Sequence, residues 1–229
     1  RKPFQNTPHG GRSVTRRTFT AGAAAAASLV ASPAILRAQG GALKVGVLLP
    51  RSGAQAGIGQ DCFRGVELAA PIFKELGLPD LQIINADTET NVEVARARAE
   101  KLIADGAQFL VGAFDSGQSS AIAQVAEQKG IPFVINIAAA PPITEQGYKF
   151  VFRNFPTGPV ILGDAFTNQK EIFATTGSAP KSVAFLCCND TFGTSMLNAI
   201  PNVLPKFDMP YKIIEQITYD PTARDRSVE

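Results

Sequence analysis

Apolar positions along this chain follow two rhythms in turn. Short runs that are apolar almost throughout occupy residues 42–49 (ALKVGVLL), 81–87 (LQIINAD), 107–113 (AQFLVGA) and 131–137 (IPFVINI), and these predict buried strands. Between them the apolar residues recur at helical spacing. Residues 60–77 place Phe63, Val66, Leu68, Ala70, Ile72, Phe73 and Leu76 near one face and end on Gly77, which predicts a helix kinked at Pro71. Residues 91–106 predict a cleaner one, with Asn91 able to cap it, Glu93 in its first turn and Gly106 ending it. Residues 116–130 (SGQSSAIAQVAEQKG) predict a third.

Strand and helix alternating through short links imply parallel pairing, so the expected fold class is α/β, a doubly wound parallel sheet. Ligands in such sheets bind beyond the carboxyl ends of the strands. That points to the loops at 50–59, 87–91, 114–117 and 137–142. The alternation restarts with a helix over about 160–175, a strand over 181–188, a helix over about 192–203 and a strand over 211–219. Pro156, Gly158 and Pro159 punctuate the join, which sets a boundary near 157. Residues 42–156 then form one lobe and 157–229 the start of a second, whose sheet looks unfinished. A start at Arg1 and an end in RDRSVE read as cut ends.

Charge is spread unevenly. Residues 1–41 hold six basic residues and no acid, and the remainder has 16 basic against 20 acidic. The basicity belongs to the leader. Residues 42–229 lack the clustered Lys/Arg with interleaved aromatics of a nucleic-acid surface, so no nucleic-acid partner is expected. The leader has the order of an export signal. Arg16 and Arg17 in TRRTFT precede the mildly apolar AGAAAAASLVASPAIL, and Ala38-Gln39-Gly40 offers small residues for cleavage. The apolar stretch is short for a spanning helix and mostly alanine. Residues 1–41 are therefore expected to be a twin-arginine signal, delivering a folded protein through the twin-arginine export machinery to the periplasm.

Candidate chemistry is sparse. His9, the sole histidine, lies before the signal. The part beyond the leader therefore cannot supply a Ser-His-Asp triad or the usual histidine zinc site. Cys62, Cys187 and Cys188 do not make a disulfide framework. GIGQDC (57–62) opens like a dinucleotide fingerprint but lacks the third glycine, and there is no phosphate-binding Gly-x-x-x-x-Gly-Lys-[Ser/Thr] loop, so no cofactor is expected.

The informative stretch is VGAFDSGQSSAIAQ (111–124), a strand that stops at Asp-Ser-Gly and feeds a helix. Ser116 there is open to two readings, part of a plain helix cap or an anion seat in which bare N–H groups, the helix dipole and hydroxyls hold a charge. Phosphate usually attracts Arg or Lys too, and none is near, so a single carboxylate is the better match. After the next strand, Ala138, Ala139 and Ala140 either allow close packing or leave room and bare backbone for a ligand. Phe192, in NDTFG, is either core or a contact facing the first lobe. Asp190 and Glu127 are expected to be solvated or capping.

Taken together, LKVGVLLPRSGAQAGIGQDCFRGVELA, NADT (85–88), LIADGAQFLVGAFDSGQSSAIAQVAEQKGIPFVI and NDTFG resemble the periplasmic solute-binding proteins of branched-chain amino acid ABC transporters, with the type I fold. The resemblance covers about residues 42–229. It implies two α/β lobes joined by a hinge that close over a ligand, an ABC permease as partner, no catalysis, and a first lobe completed by later chain. By position it makes Ser116 the holder of a ligand carboxylate and Ala138 a backbone contact. Ala140 stands where amino-acid binders carry threonine, and Ile58 and Phe192 where they carry tyrosines. With those hydroxyls gone, an ammonium loses partners and an aromatic or other apolar carboxylate becomes the expected ligand. An acid able to rescue ammonium binding is expected only in later chain. A sensor of the same fold and an exported redox enzyme are the alternative functions.

Overall fold

A computed structural model describes residues 42–223 of the chain. The leader expectations, including Arg16 and Arg17, lie outside the described residues. Strands β1 (Leu43–Leu49), β2 (Leu81–Asp87), β3 (Phe109–Gly112), β4 (Phe133–Ile135) and β5 (Val151–Arg153) form a parallel sheet in the order β2-β1-β3-β4-β5. Helices α1 (Ala56–Glu67), α2 (Ala69–Glu75), α3 (Val92–Ala104) and α4 (Ser116–Lys129) connect them.

Side chains alternate across β1, and the two faces have separate cores. Val45, Val47 and Leu49 pack with Cys62, Phe63 and Val66 of α1. Leu48 joins Leu110, Phe133 and Ile135 against Ala95, Ala99 and Leu102 of α3 and Ile122, Ala123 and Ala126 of α4. The alanine faces let both helices lie close to the sheet, and covering of both faces is what a continuous apolar strand requires. Asn91 caps α3 by accepting the Glu93 and Val94 N–H groups. Gly130 ends α4 at φ 65°, a left-handed conformation that favours glycine.

Two local expectations change. The helix expected over 60–77 starts earlier, at Ala56, and is two helices interrupted at Leu68. Pro71 is the cause: it has no N–H to give the Glu67 carbonyl, and its ring crowds that turn. Strand β5 was not expected, because three residues with one buried side chain, Val151, give almost no periodic signal.

Beyond Arg153 the chain builds α5 (Gly158–Thr176), β6 (Ser182–Cys188), α6 (Thr191–Val203) and β7 (Lys212–Tyr219), with β6 and β7 parallel. Helix α5 begins two residues before the expected start, with Pro159 in its first turn, where a missing N–H costs nothing. Leu162 and Phe166 of α5 meet Met196, Ile200 and Val203 of α6 in a second core.

Candidate ligand-binding cleft

Two helices begin at the carboxyl ends of their strands with the same device. Asp115, extended at φ −78° and ψ 139°, caps α4 and accepts the Gln118 N–H at 2.8 Å. Asp190 caps α6 and accepts the Gly193 N–H at 2.7 Å. Each cap satisfies one of the helix's unpaired donors, so the N–H groups of Ser116 and Gly117, and of Thr191 and Phe192, have no acceptor within their helices. Ser116 is buried, and its Oγ accepts the Ala140 N–H at 3.3 Å. Gly193 has to be glycine: a Cβ there would overlap the Cys188 carbonyl oxygen.

A cavity of about 320 Å³ lies between these helix starts. Its walls are largely apolar, with Phe114, Ile137, Ala138, Ala139 and Phe155 on one side and Ile161 and Phe192 on the other. The polar groups bordering it are few: Gln55, Asp115, Ser116, Cys188 and Asp190. Such a space fits a small molecule with an apolar body and a few polar ends. The Cys188 thiol donates to the Tyr219 hydroxyl at 2.9 Å. Burial pushes the neighbouring Cys187 thiol up, and the nearness of Cys188 and Asp190 adds to it.

Gln55 reaches the cavity from the β1–α1 loop, and a clasp holds that loop. Asp87 Oδ1 accepts the N–H groups of Arg51 (2.9 Å), Ser52 (3.2 Å) and Glu89 (2.8 Å). Burial alone would raise the Asp87 carboxyl, but these donors and the Ser52 hydroxyl outweigh it and hold it below its ordinary value. Thr90 Oγ1 donates to the Ser52 carbonyl and accepts the Gln55 N–H. The clasp requires Glu89 and Thr90 at φ 55° and 54°, uncommon for residues with a Cβ. Gln55 Nε2 then donates to Asp115 Oδ2 at 3.3 Å, and Gln118 Nε2 to Gln55 Oε1 at 3.2 Å, which with the Gln118 N–H on Asp115 closes a ring of three residues.

Of the residues singled out in the sequence, Ser116, Ala138, Ala139 and Phe192 are brought together around the cavity. Ala140 is buried and lies on the far side of that turn: its N–H serves Ser116, its carbonyl accepts Arg153 Nη2 at 2.7 Å, and it borders a neighbouring groove. Ile58 is not in the group either. The early start of α1 puts it on a helix, where it is 44% exposed. The loop expected to touch a ligand at 87–91 instead carries the clasp. Asp190 caps as expected, and Glu127 accepts the Lys149 and Phe150 N–H groups. Sequence reasoning placed Gln55, Asp115 and Ile137 in candidate loops without singling them out, and passed over Phe155. Asp115 and Asp190 place two carboxyl groups beside the cavity.

The family model described as periplasmic binding protein matches residues 42–228. The chain belongs to that family. It is 27% identical over 179 residues to the Leu/Ile/Val-binding protein of Escherichia coli, covering 77% of this chain and 47% of that one. It is 28% identical over 160 residues to Leu/Ile/Val-binding protein homolog 8 of Brucella abortus, covering 67% and 40%. The chain thus spans less than half the length of these curated relatives. Among solved structures, the branched-chain amino acid transporter substrate-binding protein LivJ of Streptococcus pneumoniae with isoleucine superposes at a TM-score of 0.68 with 16% identity, covering 82% of this chain and 52% of that one. A Rhodopseudomonas palustris solute-binding protein with benzoate superposes at 0.63 with 26% identity, covering 79% and 49%. The fold is the type I, leucine-binding-protein-like arrangement of parallel α/β sheets.

Proposed function

We propose that this chain is the ligand-holding part of an extracytoplasmic solute receptor, which captures a small carboxylate with an apolar body and hands it to an ABC importer. The observation that carries this is the pairing of two capped helix starts with a cavity walled by Phe114, Phe155 and Phe192. Ser116 Oγ and the free N–H groups of the first turn of α4 hold the carboxylate, helped by the helix dipole. The phenyl rings and Ile137 cover the body, which accommodates an aromatic or branched aliphatic group. Isoleucine and benzoate, bound by the two structural relatives above, span that range.

No bond is made or broken in this function. Residues 42–156 and 157–229 act as two lobes with a hinge near 157, and ligand favours closure because it touches both. Arg16 and Arg17 direct export by the twin-arginine route to the periplasm, where a permease receives the loaded protein.

The test is a thermal-shift screen of the complete mature protein against branched-chain and aromatic amino acids and aromatic and aliphatic monocarboxylates. A ligand at 100 times its Kd adds about 2.7 kcal/mol and raises Tm by several degrees. A shift with one group, weakened by Ser116→Ala, is expected. No shift with any carboxylate overturns the reading.

A further inference from the structure

The turn at Ala138, Ala139 and Ala140 is fastened on three sides. The Ala140 N–H donates to Ser116 Oγ at 3.3 Å, and the other end of the same peptide unit, the Ala139 carbonyl, accepts the Gly158 N–H at 2.9 Å. Gly158 is the first residue of α5, so a chain of bonds runs from the start of that helix, through one peptide unit, to Ser116. A serine hydroxyl has one proton to give and two acceptor positions. Ser116 is 2% exposed and accepts from Ala140, and its proton meets no acceptor among the described residues. It borders the cavity. Ser119, on the same helix, instead gives its proton to the Ala113 carbonyl at 3.1 Å.

Arg153 holds the third side. It ends β5, and its Nη2 donates to the Ala140 carbonyl at 2.7 Å and to Thr144 Oγ1 at 3.1 Å. These two bonds bracket the single helical turn Pro141–Ile143 at both ends. The Ile143 N–H reaches the same carbonyl only at 3.3 Å. The guanidinium sits there against a penalty. Its Nε and Nη1 are buried without a partner, and it makes no ion pair among the described residues. Burial pulls its pKa down, which the nearby Glu145 offsets in part. An apolar side chain would fill the same space without that penalty. What the arginine adds is its grip on Ala140 and Thr144.

We propose that Arg153 is a positioning residue for ligand capture, acting through Ala140 on Ser116. The proposal rests on the receptor reading above and adds to it a residue that does not itself border the cavity. With the Ala140 carbonyl pinned, the Ala140 N–H stays aimed at Ser116 Oγ, and the hydroxyl proton is left for the cavity. Each bond in such a chain polarises the next, so the Gly158 N–H also strengthens Ser116 as a donor. Released from Arg153, the turn swings, the chain breaks at Ala140, and Ser116 is free to give its proton to the backbone as Ser119 does.

The experiment is a double-mutant cycle on the complete mature protein. It is read by calorimetric titration with benzoate and isoleucine, or with the strongest carboxylate of the screen above if that is neither. Arg153→Met is expected to weaken binding by about 10-fold, but by less than about 2-fold in a Ser116→Ala background, because the two residues act as one unit. Arg153→Lys keeps a charged donor and is expected to recover most of the loss. Should Arg153→Met fold poorly, Thr144→Val removes one anchor of the guanidinium and is expected to show the same non-additivity on a smaller scale. Hydrogen exchange at the Ala140 amide, which needs no bound compound, is expected to be faster in Arg153→Met and in Thr144→Val. Losses that add in full to that of Ser116→Ala overturn the proposal. So does an unchanged Kd with a lower Tm, the signature of a residue that serves the fold alone, and so does an Ala140 amide that exchanges as in the wild type. In each case the receptor reading stands, because binding is still seen. Absence of binding by benzoate, isoleucine and every carboxylate of the screen removes the receptor reading and this proposal with it.

Discussion

Gly117, in the first turn of α4, faces Thr191, the first residue of α6: a Cβ on the glycine would stand 3.3 Å from Thr191 Oγ1. The same Cβ would stand 3.3 Å from Val92 Cγ2 at the start of α3. The starts of α4 and α6 therefore meet at a point with no space for a branched side chain. Gly117→Val is expected to hold α6 away from α4 and weaken ligand affinity by about 10-fold or more, with Gly117→Ala intermediate. Titration of both variants, with small-angle scattering in the presence of ligand, checks this. Unchanged affinity in the valine variant would show that the contact is not part of the bound state.

Phe192 borders the cavity and is 37% exposed, so the core draws little on it and, in the proposed receptor, its ring is available to a ligand. Phe192→Ala is expected to cost about 1–2 kcal/mol of binding, roughly 5–30-fold in Kd, from lost apolar contact. Its Tm without ligand should fall by only a few degrees. A large loss of stability with unchanged affinity would place Phe192 in the core instead.

Asp87 makes the clasp sensitive to acid. Its carboxyl is held below its ordinary value, so it stabilises the fold above the unfolded value near 3.9, and that contribution is lost as pH falls through the lower folded value. Asp87→Asn is therefore expected to melt below wild type at pH 6. The two melting curves should converge as pH falls below about 4. A gap in Tm that stays constant across this range would count against the ionised form as the source.

Gly193 has backbone, not a flexible side chain, where its Cβ would go. Gly193→Ala must push α6 away from the end of β6, at a cost of about 3 kcal/mol and a Tm lower by roughly 6–12 °C. Differential scanning calorimetry reads this directly. A shift under about 2 °C would mean that the helix start relaxes freely.

The strands and helices on which the ligand argument depends were legible because each carries a strong local signal. Asn91 caps α3, Gly130 ends α4, and the apolar runs of β1 and β2 match their paired register. What stayed hidden was short or relational. β5 has too few residues to show alternation. The start of α1 at Ala56 lies in a stretch rich in Gly and Ala, where no side-chain cap marks it, since Gln55 makes no capping bond. Ser116 could be found because a helix start is visible in sequence. Gln55 could be placed only within a candidate loop: what brings its side chain to the cleft is the fastening of that loop by Asp87 and Thr90, some 35 residues later. Ala139 and Ala140 are alike in sequence, and only the path of the backbone decides which one borders the cavity.

Apart from Gln55 and Phe155, the five-stranded sheet's share of the cleft wall comes from one uninterrupted piece of chain, the β3–α4–β4 unit and the turn after it. Phe114, Asp115, Ser116, Ile137, Ala138 and Ala139 all fall within residues 109–140. One wall of the proposed ligand site is thus modular: a single segment of about thirty residues carries most of it. Its helix still packs through alanines, and its strands still pair with β1 and β5. Because the same segment also carries core residues such as Leu110, Ile122, Phe133 and Ile135, a directed library that varies only its cavity-lining positions would explore the proposed ligand choice with the core left intact.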